Sequence, residues 1–322
     1  MGEQLSQLKR LSKIALLVLL IVAVSFSCVA VYFLYPIGAD GITHMREGGA
    51  AIVDALSELN PNPSFEETIA EYLTSAGMYV DVYRSSTVSV EFMKSFPAGY
   101  DLVVFRVHSG TSRHGVFYFT SETYDESKYQ PEQYRDELRP ARDYEGHAQV
   151  FAFGAKFVDA YLKDRFQNAM IVGMGCFGAG TSYGTGEEVA LGDFTVETRP
   201  NLADAFHRQG AKVVIGWDGL VNLSFSDEAT LHLVKALAVD RLSVRDAVEL
   251  TNRTLGPDPA YKSKLTFYPD TAGDDFLTAQ ATQDIPHEEA KSRLLQEAEV
   301  LRPWIHTPES LVSNPNGNEP AC

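Results

Sequence analysis

The chain has 322 residues, 45% apolar and 22% charged, enough for one large globular domain or two small ones. Its formal net charge of −16 and pI near 4.9 leave no basic stripe to displace counterions from a phosphate backbone, so no nucleic-acid partner is expected. Three cysteines, Cys28, Cys176 and Cys322, make no disulfide framework.

In chain order the first feature is IALLVLLIVAVSFSCVAVYFLY, residues 14–35, which carries no charge. As a helix it spans ~33 Å at ~1.5 Å per residue, enough to cross a bilayer core. Lys9, Arg10 and Lys13 precede it, and Asp40, Arg46 and Glu47 follow. That asymmetry keeps residues 1–13 in the cytoplasm and puts the bulk of the chain outside. A cleaved signal peptide needs a shorter apolar region with an A-x-A-like end. A lipoprotein signal ending at Cys28 would not leave the chain apolar beyond it. The pattern predicts an uncleaved, single-pass signal anchor over 14–35, followed by a linker over 36–49.

The domain over 50–285 reads as alternating strands and helices. Strands are expected at 50–56, 79–83, 102–107, 169–174 and 212–217. Helices are expected at 65–76, 88–96, 156–166, 202–209, 227–237 and 244–251, from apolar spacing and from stops at Gly77, Pro97 and Gly210. Residues 111–150, rich in Tyr, Glu, Asp, Arg and Gln, break the rhythm and read as an insertion with a hairpin near 115–120. A Gly/Ser/Thr-rich loop runs from Cys176 to about Gly192. The tail over 286–322 holds one charged helix, EEAKSRLLQEAEVL, and a polar end expected to be disordered. Apolar strands alternating with helices predict an α/β domain with a mostly parallel sheet covered on both faces. Ligands of such sheets sit beyond the carboxyl ends of the strands.

Three candidate groups lie at such ends: His108, Cys176 and the pair Trp217-Asp218. A thiol attacks as the thiolate, which a nearby imidazole favours, and backbone N–H groups in small-residue turns stabilise the oxyanion that develops. The turns Ser109-Gly110 and Gly175-Cys176-Phe177-Gly178 suit that chemistry. The plain alternative is that Cys176 is a buried small hydrophobe. Gly173-Met-Gly-Cys-Phe-Gly178 also matches G-x-G-x-x-G, the dinucleotide pattern. The glycine-rich stretch after it lacks an amphipathic helix, however, and the pattern falls on the fourth strand. His114, six residues past His108, is placed for a substrate contact. No H-x-x-x-H or C-x-x-C spacing suggests a metal, and no G-x-S-x-G elbow suggests a serine hydrolase.

On these residues the chain resembles the caspase-like clan CD cysteine peptidases, which include caspases, metacaspases, clostripain, gingipains and the related CHAT domains. In that family a His-Gly turn follows the third strand and a small-residue-Cys turn follows the fourth, matched here by His108-Ser109-Gly110 and Gly175-Cys176. The run from Leu202 to Asp218, a helix, Gly-Ala and a strand ending at tryptophan, is similar to the CHAT-type segment. The resemblance implies a caspase-like three-layer α/β/α sandwich over about residues 50–251. It also implies a Cys176 nucleophile, a His108 acid/base and an oxyanion hole from the backbone N–H groups of Ser109 and Cys176. No cofactor and no metal are implied, and the substrate is a peptide or protein. Ser109 stands where many members have glycine, Gln-Ala-Cys-Arg-Gly is absent, and Met174 replaces the acid that several Arg/Lys-specific members carry. Asp218, beside Trp217, is the remaining candidate for lining a pocket that takes Arg or Lys. The sequence therefore reads as a membrane-anchored thiol endopeptidase. Two other readings stand beside it: a catalytically inactive binding or scaffold domain of the same fold, and a nucleotide-binding α/β domain.

Overall fold

Every residue of β1 (Gly49–Asp54), GAAIVD, is buried, which only a strand covered on both faces can satisfy. The computed structural model describes residues 48–112, 115–142, 148–179, 189–191, 194–196 and 201–277. The anticipated membrane span at 14–35, its cytoplasmic flank and the tail over 286–322 lie outside them. Among the described residues no helix is long and apolar enough to cross a membrane.

Helix α1 (Pro63–Ser75) follows, opened by the Asn62 side chain accepting the Phe65 N–H and by Pro63 in the first turn. It buries Phe65, Ile69 and Leu73, four residues apart on one face. Then come β2 (Tyr79–Arg84), the short Ser89-capped α2 (Val90–Lys94) and β3 (Tyr100–Arg106). The next segment contains β4 (Ser109–Ser112), β5 (Gly115–Thr123), α3 (Gln130–Tyr134), β6 (Leu138–Ala141) and β7 (Val150–Phe153). The chain continues through α4 (Ala155–Tyr161), β8 (Met170–Gly173), β9 (Val189–Leu191), β10 (Phe194–Val196), α5 (Asn201–Arg208) and β11 (Val213–Trp217). It ends with α6 (Leu223–Val234), which runs into a π-helical turn, then α7 (Val244–Leu255) and β12 (Leu265–Tyr268).

Among the described residues the main sheet has six strands in the order β12-β11-β8-β3-β1-β2. All neighbours are parallel except β11 and β12. The fold is therefore α/β with a mostly parallel sheet, as the alternating pattern predicts. The chain steps from β1 outward to β2, then back across to β3, so its direction of travel reverses between β1 and β3. Helix α1 packs on α6, while α4 packs on α5.

Three differences from the sequence pattern stand out, the first two with a physical cause. The insertion spans 109–153 rather than 111–150, and it forms its own antiparallel sheet, β4-β5-β7-β6, where one hairpin was expected. Its strands β6 and β7 have four residues each, too short for a clear alternation. Strand β12, LTFY, was not anticipated, because an antiparallel edge strand of four residues carries little pattern of its own. Helices α2 and α4 are shorter than the apolar spacing suggests, ending at Lys94 and Tyr161.

Candidate functional site

Strands β3 and β8 are parallel neighbours, and Phe105 pairs with Gly173. His108 lies three residues past Phe105, and Cys176 three residues past Gly173. The two candidates thus overhang the same edge of the sheet by the same length. Both are buried, His108 at 2% exposure and Cys176 at 1%.

Several bonds hold the two turns against each other. The Ser109 hydroxyl donates to the Cys176 carbonyl, and Met174 N–H donates to the Phe105 carbonyl at 3.0 Å. Gly175 must be glycine here, since a Cβ would stand 2.5 Å from Ser109 Oγ and 2.8 Å from the Val107 carbonyl. The Cys176 turn closes where Gly178 N–H donates to the Gly175 carbonyl at 3.0 Å. Within it Phe177 sits in the left-handed region at φ 58°, a conformation a bulky side chain adopts only when its surroundings impose it. Tyr118 Oη donates to the Gly178 carbonyl at 2.9 Å, and burial pushes its phenol pKa up, so it stays a neutral donor. The glycines that imitate a dinucleotide fingerprint are thus spent on close packing. A Cβ on Gly178 would collide with the Gly173 carbonyl.

The His108 carbonyl accepts the Phe119 N–H at 2.9 Å, while Ser109 is opposite Tyr118 in the β4–β5 ladder. In an antiparallel ladder bonded and non-bonded pairs alternate, so the Ser109 N–H points away from β5, on the outer edge of that small sheet. Cys176 Sγ faces the loop after β11. It accepts the Val221 N–H at 3.3 Å and lies 3.8 Å from the Val221 carbonyl.

The sequence candidates at the end of β11 both make bonds within the fold. Trp217 is fully buried, and its indole N–H donates to Ser226 Oγ at 2.9 Å. Ser226 in turn donates to the Met174 carbonyl at 2.8 Å. Trp217 is therefore a support beneath the cysteine turn, not a wall of a pocket. Asp218 carboxylate accepts the Lys264 N–H at 2.8 Å, and its own N–H donates to the Lys264 carbonyl at 3.0 Å. That reciprocal pair clamps β12 onto β11, and burial pushes the Asp218 carboxyl pKa up. Through Oδ1 the carboxylate holds the entry to β12 against the end of β11. His114 lies outside the described residues.

Sequence reasoning missed a buried ion cluster two residues before His108. Arg106, 1% exposed, donates from Nε and Nη2 to both carboxylate oxygens of Asp227 at 2.8 and 2.9 Å. From Nη1 it reaches both oxygens of Asp54 at 3.1 and 3.0 Å, and from Nη2 the Asn60 carbonyl at 3.0 Å. Asn62 adds a bond to Asp227 at 2.8 Å. The available signal was a cation and an anion ending two apolar strands, since Asp54 pairs with Arg106 in register.

Two cavities adjoin this edge and share Leu59 as a lining residue. One, about 360 Å³, lies at the N-terminus of α6 over Arg106 and Asp227. The other, about 500 Å³, opens beside His108 above the carboxyl ends of β1, β2 and β3. It sits where the sheet reverses its direction of travel, the usual ligand crevice of such folds. Among the described residues no group of three or more His, Cys, Asp or Glu is arranged to hold a metal ion. Comparison with protein-family models and with curated proteins returned no match for this chain.

Proposed function

We propose that the chain is a caspase-like cysteine endopeptidase that hydrolyses peptide bonds with Cys176 as nucleophile and His108 as acid/base. One observation carries this reading: a histidine and a cysteine overhang adjacent parallel strands equally, in turns fastened by the Ser109–Cys176 bond. The Cys176 thiolate would attack the carbonyl carbon, and the Ser109 and Cys176 N–H groups would receive the oxyanion. His108 would then protonate the departing amine as the acyl–sulfur bond forms. In the second half, water would attack the thioester while His108 takes its proton, releasing the acid and regenerating the thiol.

With the sulfur held by Val221, the loop between Trp217 and Asn222 must shift to expose it. The three-layer caspase-like architecture, the anchor over 14–35 and an extracytoplasmic domain belong to the same reading. The strand succession supports it, since the histidine turn follows the third strand of the main sheet and the cysteine turn the fourth.

A binding or scaffold domain is the second reading, favoured by one fact: Cys176 is 1% exposed and already accepts a backbone hydrogen bond. Purified full chain is incubated with a thiol-directed peptide inhibitor and with a pool of quenched fluorogenic peptides. The peptidase reading expects covalent labelling at Cys176 and hydrolysis, both abolished in Cys176→Ala. Hydrolysis that survives Cys176→Ala overturns Cys176 as the nucleophile, whereas an unlabelled Cys176 with no turnover establishes the alternative.

A further inference from the structure

We infer that the cavity beside His108 binds a bulky apolar stretch of the substrate peptide, not an acidic or basic side chain. The inference rests on the peptidase reading and names the class of substrate for the same site. The wall of the cavity decides its chemistry. Leu56, Leu59, Phe119 and Val150 supply apolar surface on several sides, with the His108 ring 6.2 Å from the Phe119 ring.

The hydroxyls in that wall are already committed. Ser85 Oγ and Ser121 Oγ donate to the Ala55 carbonyl at 2.9 and 3.1 Å, and Thr120 Oγ1 donates to the Phe151 carbonyl at 2.8 Å. None of the three offers its proton to a ligand. An acidic side chain would find no hydroxyl donor there, only the His108 ring, which the peptidase reading commits to the reacting groups. Among the described lining residues none is Lys or Arg, so an acid would have no permanent counter-ion. Glu58, exposed at the rim, adds repulsion towards an acid. A basic side chain inside would leave its ammonium in an apolar wall, with Glu58 reachable only at the mouth. The fitting occupant has apolar side chains within and a basic neighbour outside. At about 500 Å³ the cavity falls in the ordinary range for small ligands, roughly 300–1,000 Å³, and holds more than one side chain.

The test uses the full chain carrying Cys176→Ala and fluorescein-labelled hexapeptides identical except at the two central residues: Phe-Leu, Asp-Asp or Lys-Lys, each flanked by one arginine. Fluorescence anisotropy should show Phe-Leu binding about tenfold or more tighter than either charged pair. Leu59 is 46% exposed, so Leu59→Asp in the same background should keep the thermal midpoint and lose that preference. Equal binding of the three peptides, no binding, or a preference for Asp-Asp or Lys-Lys overturns the inference. Preferential Phe-Leu binding lost in Leu59→Asp upholds it even where the Cys176 form neither cleaves the peptide nor is labelled. That last outcome overturns the peptidase reading alone.

Discussion

Asp54 closes β1 with a fully buried carboxylate that shares one cation, Arg106, with a second carboxylate, Asp227. Burial pushes its pKa from the ordinary 3.8 up to about 6, against the pull of the Arg106 guanidinium and the Leu56 N–H. The sign of the linkage follows. Between pH 4 and 6 the folded chain holds a proton that the unfolded chain has released, so folding takes up a proton. The contribution is fully present below pH 3.8 and is lost as pH rises through 6. A rise of this size corresponds to roughly 3 kcal/mol. Denaturant unfolding of the wild type and of Asp54→Asn across pH 4 to 7 should show the wild type losing up to about that much relative to the variant. Parallel curves would rule out the buried proton.

At the scale of elements, Arg106 joins β1, the loop after it, β3 and α6 through one side chain. Replacing it with methionine keeps the volume but strands two buried carboxylates, a loss of about 3–5 kcal/mol. Neutralising both acids in the same chain, with Asp54→Asn and Asp227→Asn, should recover most of that loss. Urea midpoints of the single and triple variants decide it, and a single variant within about 0.5 kcal/mol of wild type would remove the cluster from the account. This cluster also marks where sequence reading stops. The strands of the main sheet other than β12 were legible, β1, β3, β8 and β11 because a strand buried on both faces is a nearly continuous apolar run, and the edge strand β2 by its alternation. The shared edge of His108 and Cys176 was legible for the same reason, once strands alternate with helices. The partners of Arg106 were not, since Asp54 and Asp227 come from segments that only strand register and helix packing unite. Nor was the contact of Cys176 with Val221, which depends on the path of a loop after β11. Trp217 and Asp218 lay at the expected strand end, but the sequence held no sign of Ser226 beneath one or Lys264 across from the other.

For the whole molecule, charge and the proposed membrane attachment would act together. A net charge of −16 raises the local concentration of cationic peptides around the domain, an attraction screened beyond about 8 Å at physiological salt. That field matters to encounter only where such peptides are present, so the side of the membrane on which the domain stands is part of its chemistry. In the proposed reading, Lys9, Arg10 and Lys13 ahead of the apolar residues 14–35 would retain the N-terminus inside and send the acidic domain out. Full chain in right-side-out membrane vesicles should resist extraction by alkaline carbonate yet lose its domain to added protease, whereas inverted vesicles should protect it. Deleting residues 14–35 should release the chain into the carbonate supernatant. Protection in right-side-out vesicles would reverse the orientation, and release of the intact chain by carbonate would replace the anchor with a peripheral attachment.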